Sequence, residues 1–260
     1  LSTLLQGLID QRTHPLRDAD YRTSCATQLN KTGALVLRGF FTDRFVEAVR
    51  ADSTGREDEA YFASSTHNVW LTEADSGLPD DHVFNHQIIS TKGLLADDQV
   101  EQTSCLRSVY DSVEFRDFIA AVVGEGAVRP YVDDLSSINV HFHRNGEELG
   151  WHFDNSSFAV TTLITPPESG GVFECVPDLR CLPNGDENFN GVLDAIENAT
   201  GVQQLDFGPG DLVLFRGRNS MHRVTPSQGN RTRILIVFAF NTEEGIGLSD
   251  SAKETFYGRS

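Results

Sequence analysis

Five short segments in the second half of the chain constrain its fold most tightly. They are SSINVHFH (136–143), SFAVTTLIT (157–165), GGVFECV (170–176), DLVLFRG (211–217) and RTRILIVFAF (231–240). Each is rich in β-branched and aromatic residues, and glycine, proline and asparagine punctuate the intervals between them. Strands this short, joined by tight turns, close into an antiparallel double sheet or barrel. The expected fold class is therefore mainly β with flanking helices, around a jelly-roll or cupin-like core. Ahead of it, residues 18–31 predict a helix that stops at Gly33, and ALVLRGF (34–40) predicts a buried strand. Thr42 offers an N-cap for a short helix. Residues 54–97 read as loops and irregular strands, and residues 98–123 as one or two amphipathic helices, with Ser112 capping the second and Gly124 ending it. One domain over 1–260 is expected: a helical part over about 1–130, a β core over about 131–245, and a lid-like insertion over about 177–202, where PNGDENFNG precedes the helical VLDAIENAT.

Charge narrows the partners. A formal net charge of -17 repels phosphate backbones, so nucleic acid is an unsuitable partner. No run of 18 or more apolar residues predicts a membrane span, and LSTLLQGLIDQR lacks the basic and apolar regions of a signal peptide. These features predict a cytoplasmic protein with reduced Cys25, Cys105, Cys175 and Cys181, although Cys175 and Cys181 are close enough in sequence for a bridge to stay open. A homodimer is compatible with this reading.

Chemistry concentrates at LGWHFDNS (149–156). In a strand, residues i and i+2 share a face, so His152 and Asp154 can aim at one point if the chain is extended there. His222 precedes a further β pattern. Two histidines and one carboxylate form the facial triad of non-haem Fe(II) oxygenases, which leaves coordination positions open. His141-Phe142-His143 and Glu147 offer a rival, cupin-type ligand set. That pattern wants glycine where Leu135 stands and a histidine three residues after Gly210, whereas His222 lies twelve residues after it.

Taken together, His152-Phe153-Asp154, GGVFE (170–174), PGDLVLF (209–215), HRVTP (222–226) and a basic residue on the next strand resemble the 2-oxoglutarate- and Fe(II)-dependent oxygenase superfamily. The resemblance implies a double-stranded β-helix core and Fe(II) bound by His152, Asp154 and His222. It also implies that iron, 2-oxoglutarate and O2 yield succinate, CO2 and an oxidant that removes a substrate hydrogen. A basic residue would bind the distal carboxylate of 2-oxoglutarate; Arg233, leading straight into an apolar strand, stands ahead of Arg231. The longer runs GWHFDNSSFAV, FRGRNSMHRVTP and TFYGR are similar to a bacterial group acting on free amino acids, comprising radical halogenases and hydroxylating relatives. The halogenases place Gly or Ala where this chain has Asp154, so the resemblance implies hydroxylation of a small molecule such as an amino acid. Candidate substrate residues are Asp134, Asn139, His141, Trp151, Glu174 and Tyr257. Asp133 is a further candidate for an ammonium, and Arg129, Arg144 and the surplus arginine of 231/233 for a carboxylate.

Overall fold

The computed structural model describes residues 5–181 and 185–260. Strand β4 (Ile138–His143) shows how the chain builds its interior. Ile138, Val140 and Phe142 point to one side and join the main apolar core, while Asn139, His141 and His143 point to the other. Strand β13 (Arg233–Phe238) repeats the pattern: Ile234 and Ile236 enter the core, and Arg233, Leu235 and Val237 face a cavity. The apolar face is the outer one, because helices cover it.

These two strands lie within a seven-stranded antiparallel sheet, ordered β1 (Ala34–Leu37), β10 (Leu212–Phe215), β6 (Ala159–Thr165), β13, β4, β3 (Ile88–Leu95), β2 (Tyr61–His67). A second, four-stranded sheet runs β5 (Leu149–His152), β11 (Met221–Val224), β8 (Phe173–Val176), β9 (Gln203–Gln204). The pair β7 (Ser169–Gly170) and β12 (Ser227–Gln228) closes one end. This is the expected double-stranded β-helix with flanking helices.

The helices begin and end where their caps dictate. Helix α1 (Ala19–Thr32) starts at the Asp18 side chain and stops at Gly33 in the left-handed conformation. Helix α2 (Asp43–Thr54) is capped by Thr42. The stretch read as one or two helices forms two, α3 (Cys105–Tyr110) and α4 (Val113–Val123), the latter capped by Ser112 and ended by Gly124. Their apolar faces, with Phe115, Phe118, Ile119 and Val122, pack into the core cluster that includes Phe142, Ile236 and Phe238.

Two expectations need correction. Residues 54–97 are not merely loops and irregular strands: β2 and β3 pair over seven residues and extend the large sheet. Their serines, threonines and glycine weaken the local β signal. The part over 1–130 therefore contributes three strands as well as helices. The 177–202 insertion includes residues 182–184, which lie outside the described residues, and none of its described residues lines the cavity. Its helix α5 (Phe189–Asn198) buries Val192 and Ala195 in a satellite cluster with Trp70, Val83 and Phe153. All four cysteines are free, as the reduced reading expects, and the Cys175–Cys181 bridge left open by the sequence is not formed.

Candidate metal centre and cofactor pocket

A cavity of about 1040 Å³ lies between the two sheets. On its four-stranded side, β5 and β11 pair so that His152 stands opposite His222. Opposite residues of an antiparallel pair share a face, so both imidazoles enter the cavity. Asp154 sits just beyond β5. Its backbone N–H donates to the Gly217 carbonyl (3.0 Å), and the Phe153 N–H donates to the Val69 carbonyl (2.8 Å). These two bonds turn the chain so that the carboxylate meets the histidines. Asp154 Oδ1 lies 3.6 Å from His152 Nε2 and 3.5 Å from His222 Nε2.

The tautomers follow from the outer partners. His152 Nδ1 lies 2.8 Å from the Gly150 carbonyl and His222 Nδ1 3.0 Å from the Ser220 carbonyl. A carbonyl only accepts, so each Nδ1 carries a proton, and each Nε2 is the nitrogen directed at Asp154. Burial, reinforced by His222, lowers the pKa of His152 to about 4, so it is neutral at pH 7. Burial opposes ionisation of Asp154, yet the neighbouring histidines outweigh it and hold its carboxyl well below the usual carboxylate range. Two imidazole nitrogens and a carboxylate oxygen, converging within 4.8 Å, make a donor set for a divalent cation. His141, His143 and Glu147 form no such group among the described residues; Glu147 Oε2 instead accepts from the Arg144 backbone N–H at 2.7 Å.

Two features keep this donor set open on one side. Asp154 Oδ2 is buried without a hydrogen-bond partner. Gly217 faces it so closely that a Cβ there would stand 1.9 Å from Oδ2. Phe173 stacks on His222 at 5.5 Å and Phe215 meets it edge-on at 4.9 Å, which keeps the imidazole among apolar walls.

On the seven-stranded side, Arg233 is only 1% exposed and has no carboxylate partner among the described residues. Its Nη1 lies 3.5 Å from His143 Nδ1, the residue opposite it on β4, while its Nε, His143 Nε2 and Ser227 Oγ have no partner. Burial lowers the Arg233 pKa to about 10, which leaves the guanidinium charged at pH 7. A buried, unpaired guanidinium is costly, and a bound carboxylate relieves that cost. Gly171, at φ +60°, approaches so closely that a Cβ would lie 3.0 Å from Arg233 Cδ, so the second glycine of GGVF leaves room for this side chain. Arg231 is exposed and donates to the carbonyls of Pro166 and Pro167, at 2.7 and 2.9 Å, outside the cavity.

The candidate substrate residues separate by strand parity. His141 lines the cavity. Trp151, one residue from His152, points to the opposite face of its sheet, where the Arg223 guanidinium lies 4.6 Å above its ring. Glu174 pairs with Arg223 at 2.7 Å and accepts from Gln204, on that same outer face. Tyr257, on helix α6 (Asp250–Tyr257), does fold back, but its hydroxyl donates to Asn139 Oδ1 at 2.9 Å, and neither side chain lines the cavity. Asp134 is exposed, and Asp133 braces its own loop by accepting from Ser136, Leu135 and Leu248. Arg144 pairs with Glu57 at 2.6 Å, and Arg129 also lies outside the cavity.

Sequence reasoning missed Lys92 and His67, which both line the cavity. His67 Nε2 lies 2.7 Å from Ser90 Oγ, and its ring meets His152 edge-on at 6.3 Å. The alternation of Ile88, Ser90, Lys92 and Leu94 holds the signal for β3, but a lysine in a stretch read as irregular defaults to the surface.

Fold and donor set are of the kind found in 2-oxoglutarate- and Fe(II)-dependent oxygenases. The chain belongs to the family described as Halogenase D, whose model matches residues 90–257. The chain's fold is similar to those of several solved structures. A 2OG-Fe(II) oxygenase family protein from Burkholderia pseudomallei aligns with a TM-score of 0.53 and 13% identity, covering 86% of this chain and 92% of that one. A prolyl-4-hydroxylase from Pseudomonas putida gives 0.51 and 15%, with coverages of 83% and 96%. The non-haem α-ketoglutarate-dependent carbocyclase SnoK from nogalamycin biosynthesis gives 0.58 and 13%, with coverages of 84% and 82%. No curated protein sequence matches the chain.

Proposed function

We propose that this protein is an Fe(II)- and 2-oxoglutarate-dependent oxygenase that hydroxylates an unactivated C–H bond of a small molecule, such as a free amino acid. His152, Asp154 and His222 would hold Fe(II), and Arg233 would take the distal carboxylate of 2-oxoglutarate. The buried guanidinium without a carboxylate partner among the described residues supports that assignment, and so do two imidazoles converging on one carboxylate. Bound together, iron, 2-oxoglutarate and O2 supply the oxidant, with succinate and CO2 as coproducts. The chain's own residues then have three tasks. The Gly150 and Ser220 carbonyls hold the histidine tautomers, Gly217 leaves room for the aspartate, and Phe173 and Phe215 keep water from the reacting side.

The observation that carries the hydroxylase reading is Asp154 itself. A carboxylate at the third ligand position leaves no vacancy there for chloride, so family membership alone does not make the chain a halogenase. The test is a panel of free amino acids with Fe(II), 2-oxoglutarate and chloride, followed by mass spectrometry. One substrate should gain a single oxygen as succinate forms. A chlorinated product, or succinate formed at the same rate whichever amino acid is present, contradicts the reading.

A further inference from the structure

Arg233 accounts for one of the two permanent cations among the described residues lining the cavity; the other is Lys92. Gly93 of β3 pairs with Phe142, which sets Lys92 beside His143, in the same row as Arg233 but on the far side of that histidine. Lys92 makes no salt bridge and no side-chain hydrogen bond to any described residue. It faces the cavity, where burial lowers the ammonium pKa from 10.5 to about 8 and leaves it charged near neutral pH. Lys92 is half-buried, and the charge of Asp154, already in the donor set, acts on it without a direct contact, so its ammonium has no counter-ion of its own among the described residues.

Leu94, Phe158, Val160, Phe173, Phe215 and Leu235 give the cavity apolar lining, alongside polar residues that include Ser65, Thr66, Ser90 and His141. The only carboxylates lining the cavity among the described residues are Asp154, already in the donor set, and Glu73, which is exposed. Deep inside, the cavity offers a second anion site and no spare cation site.

We propose that Lys92 binds the anionic group of the substrate, and that the substrate is a carboxylate carried on an aliphatic or aromatic body. A free amino acid of that kind would place its ammonium towards the mouth, where Glu73 stands. This assignment rests on the proposed oxygenase function and refines its substrate class. The separation of Lys92 from Arg233 by His143 lets one cation serve the substrate and the other serve 2-oxoglutarate.

The test compares wild type, Lys92→Met and Lys92→Arg under anaerobic conditions with Fe(II) and 2-oxoglutarate. The visible charge-transfer band of the ternary complex is read first, then its perturbation by leucine, phenylalanine, their carboxamides, lysine and glutamate, and then turnover in air. In the wild type, leucine or phenylalanine should perturb the band and be oxidised, and the carboxamides should bind at least tenfold more weakly. Lys92→Met should raise the KM for the carboxylate at least tenfold, leave the 2-oxoglutarate requirement within twofold, and abolish the preference over the carboxamide. Lys92→Arg should restore part of the affinity. The assignment is overturned if Lys92→Met weakens 2-oxoglutarate instead, or changes neither ligand. It is equally overturned if lysine or glutamate outperforms both apolar carboxylates, or if neither of those binds. Absence of the charge-transfer band in the wild type would instead refute the oxygenase reading on which the assignment rests.

Discussion

On the four-stranded sheet, His152 and His222 each anchor Nδ1 on a backbone carbonyl and turn Nε2 towards an ionised carboxylate. On the seven-stranded sheet, Arg233, His143 and Lys92 stand in one row with a partnerless guanidinium Nε, a partnerless imidazole nitrogen and a free ammonium. One wall is a set of electron-pair donors, and the other is a set of positive charges without carboxylate partners among the described residues. The first is pre-organised by its outer hydrogen bonds, so it needs little rearrangement to bind. The second is destabilised until anions arrive, so ligands should stabilise the protein through it.

Breaking the donor wall should have the largest effect. His222→Ala should weaken Fe(II) binding beyond the roughly 10–100-fold typical of losing an outer partner, and activity should vanish with it. Anaerobic metal titration reads this directly. Breaking the charged wall comes next. Arg233→Met should cost 2-oxoglutarate about 2–5 kcal/mol of binding, roughly 30-fold to several thousand-fold in its requirement, while Arg231→Ala changes it little. The same Arg233→Met protein should melt no lower than the wild type in the absence of ligand, because it removes an unpaired buried charge.

The fold was legible in advance where one strand carried one pattern. The five β-rich segments of the second half, the caps at Thr42 and Ser112, and the stops at Gly33 and Gly124 are local signals, and each produced the element it predicts. The convergence of His152, Asp154 and His222 also has a local root, in the short H-x-D spacing. Three things were not legible. Strands β2 and β3 hide behind Ser, Thr and Gly, and gain their stability from pairing with each other and, through β3, with β4 rather than from their own propensity. The 177–202 segment looked like a lid because sequence does not say which wall an insertion covers; its apolar residues chose Trp70 and Phe153. Glu174 and Trp151 neighbour the right residues in sequence, but alternation turns them to the outside of the sheet.

Smaller changes sharpen the contrast between the walls. Gly217→Ala puts a methyl 1.9 Å from the present position of Asp154 Oδ2. The carboxylate must move, and a displacement of this order should lower turnover on the order of 10²-fold while the protein stays folded, as circular dichroism would show. The smallest effect is a pH dependence of stability from Lys92. The unfolded chain holds the lysine proton up to about pH 10.5, whereas the folded chain releases it near pH 8. Between these values the unfolded state binds more protons, so stability should rise with pH by at most roughly 3 kcal/mol, at about 1.4 kcal/mol per pKa unit. Lys92→Met should flatten that rise, as chemical denaturation at a series of pH values would reveal.

On the proposed function, one wall takes a metal and the other takes the anion that joins it. Anaerobic titration of wild-type protein with Fe(II), then with 2-oxoglutarate, tests it most directly by the visible charge-transfer band of the joined complex. The account predicts one Fe(II) per chain and a saturable band that disappears in His222→Ala and demands far more 2-oxoglutarate in Arg233→Met. A wild-type protein that binds no iron, or a band indifferent to Arg233, would contradict it.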